Sequence, residues 1–153
     1  MQILQIIKNR HSNRVFIDKD IDVEDITKII DSAYLAPSSC DRKAISLKHV
    51  KFRDNKQLLN GILVGGVGWI YTAAEIILLV ANVEAYKENL YYMPYLDTGF
   101  IAQNIWLTCT ELGIGCCFVN PNVREEHKGI LRQFFIKPNE ILTGALAIGY
   151  MDE

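Results

Sequence analysis

The chain has 153 residues, of which 50% are hydrophobic and 22% are charged, and its formal net charge is -2. This length and composition favour one globular domain over residues 1–153 and are not typical of a disordered chain. The slightly acidic balance argues against a general nucleic-acid-binding protein, so any anion site is expected to be local.

The longest apolar region, "GILVGGVGWIYTAAEIILLVANV" at residues 61–83, is long enough to raise the question of a membrane span. Glu75 lies inside it and glycines interrupt its first half, so a loop followed by a buried strand is the favoured interpretation. No signal peptide is recognisable, because the short apolar start runs into Lys8 and Arg10. We therefore expect a cytoplasmic protein that does not associate with membranes.

The four cysteines show no CxxC spacing, and two of them are adjacent. This pattern favours free thiols in a reducing compartment. Cys116 and Cys117 have no flanking base or cation, so we interpret them as small buried hydrophobic residues rather than as a redox pair. The three histidines lack the spacing of zinc ligands, and no metal site is predicted.

The first half of the chain predicts three helices and a strand. Residues 1–9 suit a short amphipathic helix, and a turn and an extended piece follow as far as Phe16. The stretch "DVEDITKIIDSAYLAP" predicts a second helix that Asp22 caps and Pro37 ends. "AISLKHVKF" alternates as a strand does, and "DNKQLLNGIL" predicts a short helix.

The second half predicts three strands and two helices. "AEIILLVA" has the continuous apolar run of a central strand, and "IGCCFV" and "ILTGALAIGY" predict two more strands. "DTGFIAQNIWLTCTELG" predicts a helix that is apolar nearly all round and ends at Gly113, so it must be buried in a core or between subunits. "NVREEHKGILRQFF" predicts a helix capped by Asn122, with Glu125 in a capping box. This order predicts one α+β or α/β domain.

The stretch "NRHSNRVF", residues 9–16, places cations at alternate positions. In an extended segment Arg10, Ser12 and Arg14 point to one face, where two guanidinium groups and a hydroxyl converge. Such a patch suits a planar anion with several acceptors, for example a phosphate or a heterocyclic imide edge. The alternative is a pair of surface arginines that bind nearby aspartates.

Two loops are further candidates for ligand contacts. "APSSCDRK", residues 36–43, offers hydroxyls and backbone amides, although ordinary turn chemistry explains the same residues. "VGGVG", residues 64–68, lacks a phosphate-binding pattern and is interpreted as a flexible loop whose backbone amides are available to contact a ligand. His49 and His127 are interpreted as structural or solvated, and no Ser-His-Asp or HExxH pattern occurs.

Four segments together resemble the nitroreductase family of FMN-dependent oxidoreductases. "IIKNRHSNRVF" resembles the family's R-x-S-x-R/K-x-F element, and "AYLAPSSCDRKAISL" resembles A-x-x-A-P-S-S-x-N-x-Q-P-W-x-F. "DTGFIAQNIWLTCTELGIGCCFV" resembles the long helix D-x-G-x-A-x-Q-N-L-x-L-x-A-x-x-L-G-L-G and the strand after it, and "ALAIGYMDE" resembles the strand A-L-x-A-L-G-Y-P. The segments occur in the family's order and span nearly the whole chain.

The resemblance implies a nitroreductase-like α+β fold with three layers, in which helices flank a central, mainly antiparallel sheet. It also implies an intertwined homodimer with two FMN sites at the subunit interface, where the long apolar helix would lie at the centre. The implied activity is FMN-dependent transfer of electrons from NAD(P)H to a small organic acceptor, of the nitroaromatic or quinone type, by ping-pong hydride transfer. The protein's part would be orientation and charge, and no side chain is assigned as a general acid, because nothing in the sequence places one.

The resemblance assigns Arg10, Ser12 and Arg14 to the flavin phosphate, ribityl chain and pyrimidine edge. The loop after the second helix would contact the flavin from the partner chain, while residues 66–69 and the end of the strand at 118–120 would border it. His11 points away from Arg10 and Ser12 if the segment is extended. The predicted cofactor-binding residues are Arg10, His11, Ser12, Arg14, Pro37, Ser38, Ser39, Asp41, Gly68, Val119 and Asn120.

The chain departs from the family pattern in two places. Asp41 stands where the family has an amide, and a carboxylate only accepts hydrogen bonds unless it is protonated. The chain stops at Glu153, whereas many relatives continue into an arm that reaches the partner, and "YYMPYLDTG" leaves little room for inserted helices, so an open or differently covered flavin face is expected. Two alternatives follow: a weakly flavin-binding, non-catalytic accessory protein, or a flavin-dependent oxidase or dehydrogenase of a specific biosynthetic intermediate.

Overall fold

Residues 2–152, the part of the chain that the computed structural model describes, form helices around one antiparallel sheet. The helices of this part are α1 (Ile3–Asn9), α2 (Val23–Tyr34), α3 (Arg53–Ile62), α4 (Met93–Glu111) and α5 (Lys128–Phe134). Its strands are β1 (Ile45–Val50), β2 (Glu75–Asn82), β3 (Gly115–Val119) and β4 (Glu140–Gly149).

The sheet has the strand order β1-β2-β4-β3, and each neighbouring pair is antiparallel. β2 lies inside the sheet, where Ile77 pairs with His49 of β1 and with Leu146 of β4. Every residue of β2 from Glu75 to Ala81 is buried, which confirms the prediction of a central strand from its continuous apolar run. β3 lies at one edge of the sheet, and this position matters for the site described below.

Helices cover both faces of the sheet and make three layers. Neighbouring residues of β2 point to opposite faces, as the period of a strand requires. On one side Ile76 packs in a cluster with Leu59 of α3 and Leu131 of α5. On the other side Ile77 packs in a cluster with Ile29 of α2 and Ile105 of α4. The α+β, three-layer prediction is therefore confirmed.

Helix α4 begins at Met93, four residues before its predicted start, with Pro94 in its first turn. Ile105 of this helix is fully buried against the sheet. Its opposite face stays apolar but open, since Leu96 and Phe100 are 53% and 50% exposed. Burial inside one chain therefore accounts for one face of α4, and the prediction that the other face packs between subunits stays a prediction.

The predicted start of helix α5 is wrong. The helix begins at Lys128, after a 3-10 turn, and not at a cap formed by Asn122. The Asn122 carbonyl accepts a hydrogen bond from the Val64 amide at 3.0 Å, and Val123 forms an isolated antiparallel bridge with Leu63. This tertiary pairing holds residues 122–123 extended, and the Glu125 carboxylate binds Lys128 at 2.5 Å instead of closing a capping box.

Helix α2 agrees with its prediction except at its cap. Asp22 occupies the N-cap position, and its backbone carbonyl accepts the amides of Asp25 and Ile26 at 3.0 Å. Its side chain makes no capping hydrogen bond. The helix ends at Tyr34, three residues before Pro37. The remaining predicted elements, α1, β1, α3, β3 and β4, lie where the sequence predicted them.

The apolar region at residues 61–83 is divided among the end of α3, short 3-10 turns and strand β2. Within residues 2–152, no helix combines the length and apolar character that a membrane crossing requires. Over the same range, no group of three or more His, Cys, Asp or Glu side chains is arranged to hold a metal ion.

Candidate functional site

The segment with the alternating cations runs along the open edge of β3. The Asn13 amide donates to the Cys116 carbonyl at 3.1 Å, and the Cys116 amide donates to Asn13 Oδ1 at 3.3 Å. The indole of Trp106 donates to the His11 carbonyl at 3.0 Å, and Phe16 is buried in the core at the other end of the segment. These anchors hold residues 10–16 as an extended piece beside the strand.

The side chains of Arg10, Ser12 and Arg14 gather at the Cys117 thiol of β3. Ser12 and both guanidinium groups lie near enough to this thiol to act on its pKa, and the thiol itself donates to the Phe118 carbonyl at 3.4 Å. We call these four residues the arginine cluster. The guanidinium carbon of Arg10 lies 4.6 Å from the ring centre of Trp106, and that of Arg14 lies 5.9 Å from the ring of Trp69. The alternation in the sequence thus predicted a real grouping.

The arginine cluster carries net positive charge. Burial raises the pKa of the Cys117 thiol above its ordinary value, although Arg14, Ser12 and Arg10 act in the opposite direction. The thiol is therefore neutral near pH 7. Among residues 2–152, no carboxylate forms an ion pair with Arg10 or Arg14. Two guanidinium groups without an anion on the chain suit binding of an external anion.

The loop of residues 64–68 borders the arginine cluster. A Cβ atom at Gly65 would lie 2.7 Å from the Cβ of Asn120, so the loop packs directly on the residue after β3. The indole of Trp69, whose ring faces Arg14, donates to the Gly65 carbonyl at 3.1 Å. Gly68 has a positive φ of 89°, and its amide donates to Asn60 Oδ1 at 2.8 Å. Gly68 and Asn120 therefore lie on the same side of the molecule as the predicted arginines.

Val119 differs from its neighbours in the predicted site. Its side chain is fully buried and packs in the core on the α3 and α5 side of the sheet. A ligand could therefore meet Val119 only through its backbone, while the exposed Asn120 side chain remains available at the surface.

A second polar region surrounds Asp97 in helix α4. The Asp97 side chain is fully buried and accepts three hydrogen bonds. The Ser39 amide donates to Oδ1 at 2.8 Å, the Ser39 hydroxyl donates to Oδ2 at 3.2 Å, and the Tyr86 hydroxyl donates to Oδ2 at 2.8 Å. Arg42 Nη1 donates to the Ser39 hydroxyl at 2.8 Å and to the Ser39 carbonyl at 3.0 Å. We call Ser39, Arg42, Tyr86 and Asp97 the Asp97 network.

The turn that the Asp97 network holds has an unusual backbone. Cys40, Asp41 and Lys43 have φ angles of 50°, 51° and 50°, in the left-handed region that side chains disfavour. The Ser38 hydroxyl oxygen accepts the Lys43 amide at 2.9 Å and closes the turn. Asp41 and Pro37 are exposed beside it. Strained backbone of this kind persists where surrounding contacts hold it in place, and it often occurs at functional sites.

A single chain does not bring all the predicted site residues together. Trp106, which contacts the arginine cluster, lies nine residues after Asp97, or about 14 Å further along α4. One region contains the predicted residues Arg10, His11, Ser12, Arg14, Gly68 and Asn120. The other region contains Pro37, Ser38, Ser39 and Asp41.

Sequence reasoning missed several residues of both regions. Asp97 had a readable signal, since it lies four and eight residues before Ile101 and Ile105, on the face of α4 that is buried. A carboxylate on an apolar helix face needs partners, so its position predicts a hydrogen-bonded role. Cys117 is buried as predicted, but its contacts with Arg10 and Arg14 come from residues about a hundred positions away and had no local signal.

Comparison with known protein families matches residues 55–150 to the nitroreductase family. The chain belongs to the nitroreductase family. The match covers more than half of the sequence and includes α4, β3 and β4. The family that the sequence segments resembled is therefore confirmed.

Individual relatives agree with this membership. A protein of Archaeoglobus fulgidus named "Putative NADH dehydrogenase/NAD(P)H nitroreductase" is 29% identical over 150 residues, which cover 97% of this chain and 85% of that protein. The structure of an FMN-dependent nitroreductase from Clostridium difficile R20291 superimposes with a TM-score of 0.84 at 25% identity, covering 98% and 88% of the two chains. A nitroreductase family protein from Clostridium novyi NT gives a TM-score of 0.87 at 23% identity, with coverage of 100% and 87%, and supports the fold.

Proposed function

We propose that this member of the nitroreductase family is an FMN-dependent oxidoreductase that passes electrons from NAD(P)H to a small organic acceptor of the nitroaromatic or quinone type. Family membership supports an oxidoreductase. The name of the Clostridium difficile protein supports FMN, and that of the Archaeoglobus protein supports NAD(P)H. The observation that carries the proposal is the arginine cluster, where two guanidinium groups lie against Trp106 and Trp69 and have no carboxylate partner among residues 2–152.

The residues of the arginine cluster fit the anionic parts of FMN. A guanidinium group binds a phosphate or an imide edge through paired N–H donors. Arg14 is exposed and Arg10 is half-buried, so both have donors to offer to a ligand. The rings of Trp106 and Trp69 hold the two guanidinium groups in place by cation–π contact. The Ser12 hydroxyl lies between them in sequence and adds a third polar group.

In the proposed reaction, FMN would supply the hydride chemistry, and the protein would supply binding, orientation and charge. Arg10 or Arg14 would stabilise the negative charge that reduction leaves on the pyrimidine edge, and so raise the reduction potential. The neutral Cys117 thiol keeps the local field positive, because a thiolate there would cancel one of the two cations. Donor and acceptor would use the same face in turn, as a ping-pong scheme requires.

We propose that two copies of the chain complete each site. The turn of residues 38–43 lies away from the arginine cluster of its own chain, so the same turn of the partner chain would complete the site. Apolar side chains support such a dimer, because Leu96 and Phe100 of α4 and Ile3 and Leu4 of α1 are each at least half exposed. Exposed apolar faces on two neighbouring helices are typical of a subunit interface.

A cavity beside the Asp97 network suits an aromatic acceptor. It has a volume of about 680 Å³, within the range of small-molecule pockets. Its walls include Tyr86, Tyr91, Pro94 and Tyr95, and Tyr86 belongs to the Asp97 network as well. Aromatic walls favour planar rings through stacking and edge contacts. We propose that this cavity admits the acceptor to the site.

The visible spectrum of the purified protein tests the proposal. FMN added at micromolar concentration should bind, with a flavin band at about 450 nm that is perturbed relative to free FMN. Sedimentation of the same sample should show a dimer. A chain that leaves the FMN spectrum unchanged would be a non-catalytic relative, and a monomer at high concentration would rule out the shared site.

A further inference from the structure

Asp97 is a fully buried carboxylate whose hydrogen bonds reach outside its own helix. Two of its three donors, an amide and a hydroxyl, come from Ser39, which lies 58 positions earlier in the chain. The third donor is the hydroxyl of Tyr86. A buried carboxylate is unfavourable unless donors surround it, and these three satisfy it. The arrangement ties helix α4 to the turn that the family resemblance places at the flavin.

The hydroxyl groups of Ser38 and Ser39 have different hydrogen-bond partners within the chain. The Ser39 hydroxyl donates its proton to Asp97 and accepts from Arg42, so its hydrogen-bonding capacity is largely used. The Ser38 hydroxyl oxygen accepts the Lys43 amide, but no acceptor within residues 2–152 takes its proton. Of the two hydroxyls, that of Ser38 therefore keeps a donor for a ligand.

The backbone around these serines needs an external anchor. Cys40, Asp41 and Lys43 adopt left-handed φ angles, which are unfavourable for residues with a side chain. Asp97 supplies that anchor, because it fixes both the amide and the hydroxyl of Ser39, the residue just before the left-handed pair. Arg42 adds to it by bonding Ser39 and by lying 5.6 Å from the Tyr86 ring.

We propose that Asp97 is a positioning residue of the flavin site. Through Ser39 it fixes the turn of residues 38–43, so that the Ser38 hydroxyl, and not the Ser39 hydroxyl, donates to FMN. This inference rests on the proposed function, since it concerns the same cofactor. The Tyr86 hydroxyl remains a donor to Asp97 at neutral pH, because burial, followed by the hydrogen bond to Asp97, raises the pKa of Tyr86.

The test measures FMN affinity, the visible circular dichroism of the bound flavin and the thermal midpoint in matched variants. Asp97→Ala should weaken FMN binding by about tenfold or more and change the flavin dichroism, because the turn loses its anchor. Asp97→Asn keeps an acceptor for the Ser39 amide, so its affinity should fall by no more than about threefold. Rescue by this conservative variant would not be expected of a residue that acts on stability alone.

Thr98→Val is the matched control. Thr98 is the next residue of α4, and its buried hydroxyl lies 2.6 Å from that of Thr143, away from the turn. The control should lower the thermal midpoint, since a buried hydrogen bond is lost. Its FMN affinity should stay within about twofold of the wild type, because the turn keeps its anchor.

The serine variants separate the two hydroxyls and keep the test decisive if Asp97→Ala fails to fold. Ser38→Ala should weaken FMN binding about tenfold. Ser39→Ala keeps the hydrogen bond from the residue 39 amide to Asp97 and should weaken FMN binding only about threefold. A larger loss of affinity in Ser39→Ala than in Ser38→Ala would overturn the inference. So would wild-type affinity and dichroism in folded Asp97→Ala, or equal losses of affinity in Asp97→Ala and Thr98→Val. Absence of FMN binding by the wild type would overturn the proposed function and this inference together.

Discussion

Two polar clusters at the sheet have opposite electrostatic balance. In the arginine cluster, Arg10 and Arg14 have no carboxylate partner among residues 2–152. At the start of β2, the buried carboxylate of Glu75 has two partners, His49 Nδ1 at 3.0 Å and Lys51 Nζ at 2.9 Å. We call these three residues the Glu75 cluster. The first set of charges lacks a partner of opposite charge among the described residues, whereas the second is paired within the chain.

The pKa values of the two clusters express this difference. Burial acts to raise the pKa of Glu75, but His49 and Lys51 outweigh it and lower the pKa below its ordinary value. The folded state therefore favours the charged carboxylate and gains stability from it. At Cys117 burial dominates, and the nearby arginines do not convert the thiol to an anion.

The largest effect is expected from removing the unbalanced charge. The double variant Arg10→Ala/Arg14→Ala should weaken FMN binding by about 100-fold or more, because each hydrogen bond to a charged group contributes about 1.5–3 kcal/mol. Fluorescence titration of FMN measures this loss. Arg53→Ala removes an exposed arginine at the start of α3 and should leave the affinity unchanged. Equal affinities in all three proteins would break the comparison, since the arginine cluster would then be structural.

The next effect concerns stability in the balanced cluster. Glu75→Gln should lower the free energy of unfolding by about 2 kcal/mol, because it removes a charged acceptor from two hydrogen bonds at a buried position. Urea unfolding measures this change, with the exposed Glu126→Gln as the control. FMN affinity should not change. A Glu75→Gln variant with wild-type stability but weakened FMN binding would show that Glu75 acts in binding. The Glu75 cluster and the arginine cluster would then not differ in role.

The stability difference should also depend on pH. Because the folded pKa of Glu75 is lowered, the unfolded chain takes up the proton first as the pH falls, so the stability from Glu75 is present at neutral pH and lost below its ordinary value of 4.5. The gap in urea midpoint between the wild type and Glu75→Gln should therefore narrow between pH 7 and about pH 3. A gap that widens on acidification would have the wrong sign for this account.

The smallest expected effect is that of salt, which should weaken FMN binding at the arginine cluster and leave the Glu75 cluster nearly unchanged. Raising NaCl from about 0.05 M to about 0.5 M should weaken FMN binding a few-fold, because Arg14 is exposed and ions screen its charge. The stability difference between the wild type and Glu75→Gln should change less, since the carboxylate is buried. If FMN affinity and the stability difference between the wild type and Glu75→Gln responded equally to salt, the arginine cluster would not be more exposed to ions than the Glu75 cluster.

The sequence predicts the elements whose signal is local. The continuous apolar run of β2 and the alternation of Arg10, Ser12 and Arg14 needed no distant partner to be interpreted, and both are found in the structure. The start of α5 was missed because Asn122 pairs with Val64, a contact that local capping preferences do not report.

Contacts between distant segments limited the prediction of the site. The role of Asp97 depends on Ser39, which lies 58 positions away, and the environment of Cys117 depends on the N-terminal segment. Family resemblance supplied the proposed ligand, whereas the structure showed which serine hydroxyl of the turn of residues 38–43 already uses its proton in a hydrogen bond.

Anaerobic titration of the FMN-loaded protein with NADH or NADPH tests the central claim most directly. The account predicts that the flavin band at about 450 nm bleaches with about one equivalent of reduced nicotinamide per FMN. A later addition of a quinone should restore the band, because the two half-reactions are separate. A protein that binds FMN but leaves the band unbleached by either nucleotide would contradict the assignment as an NAD(P)H-dependent oxidoreductase.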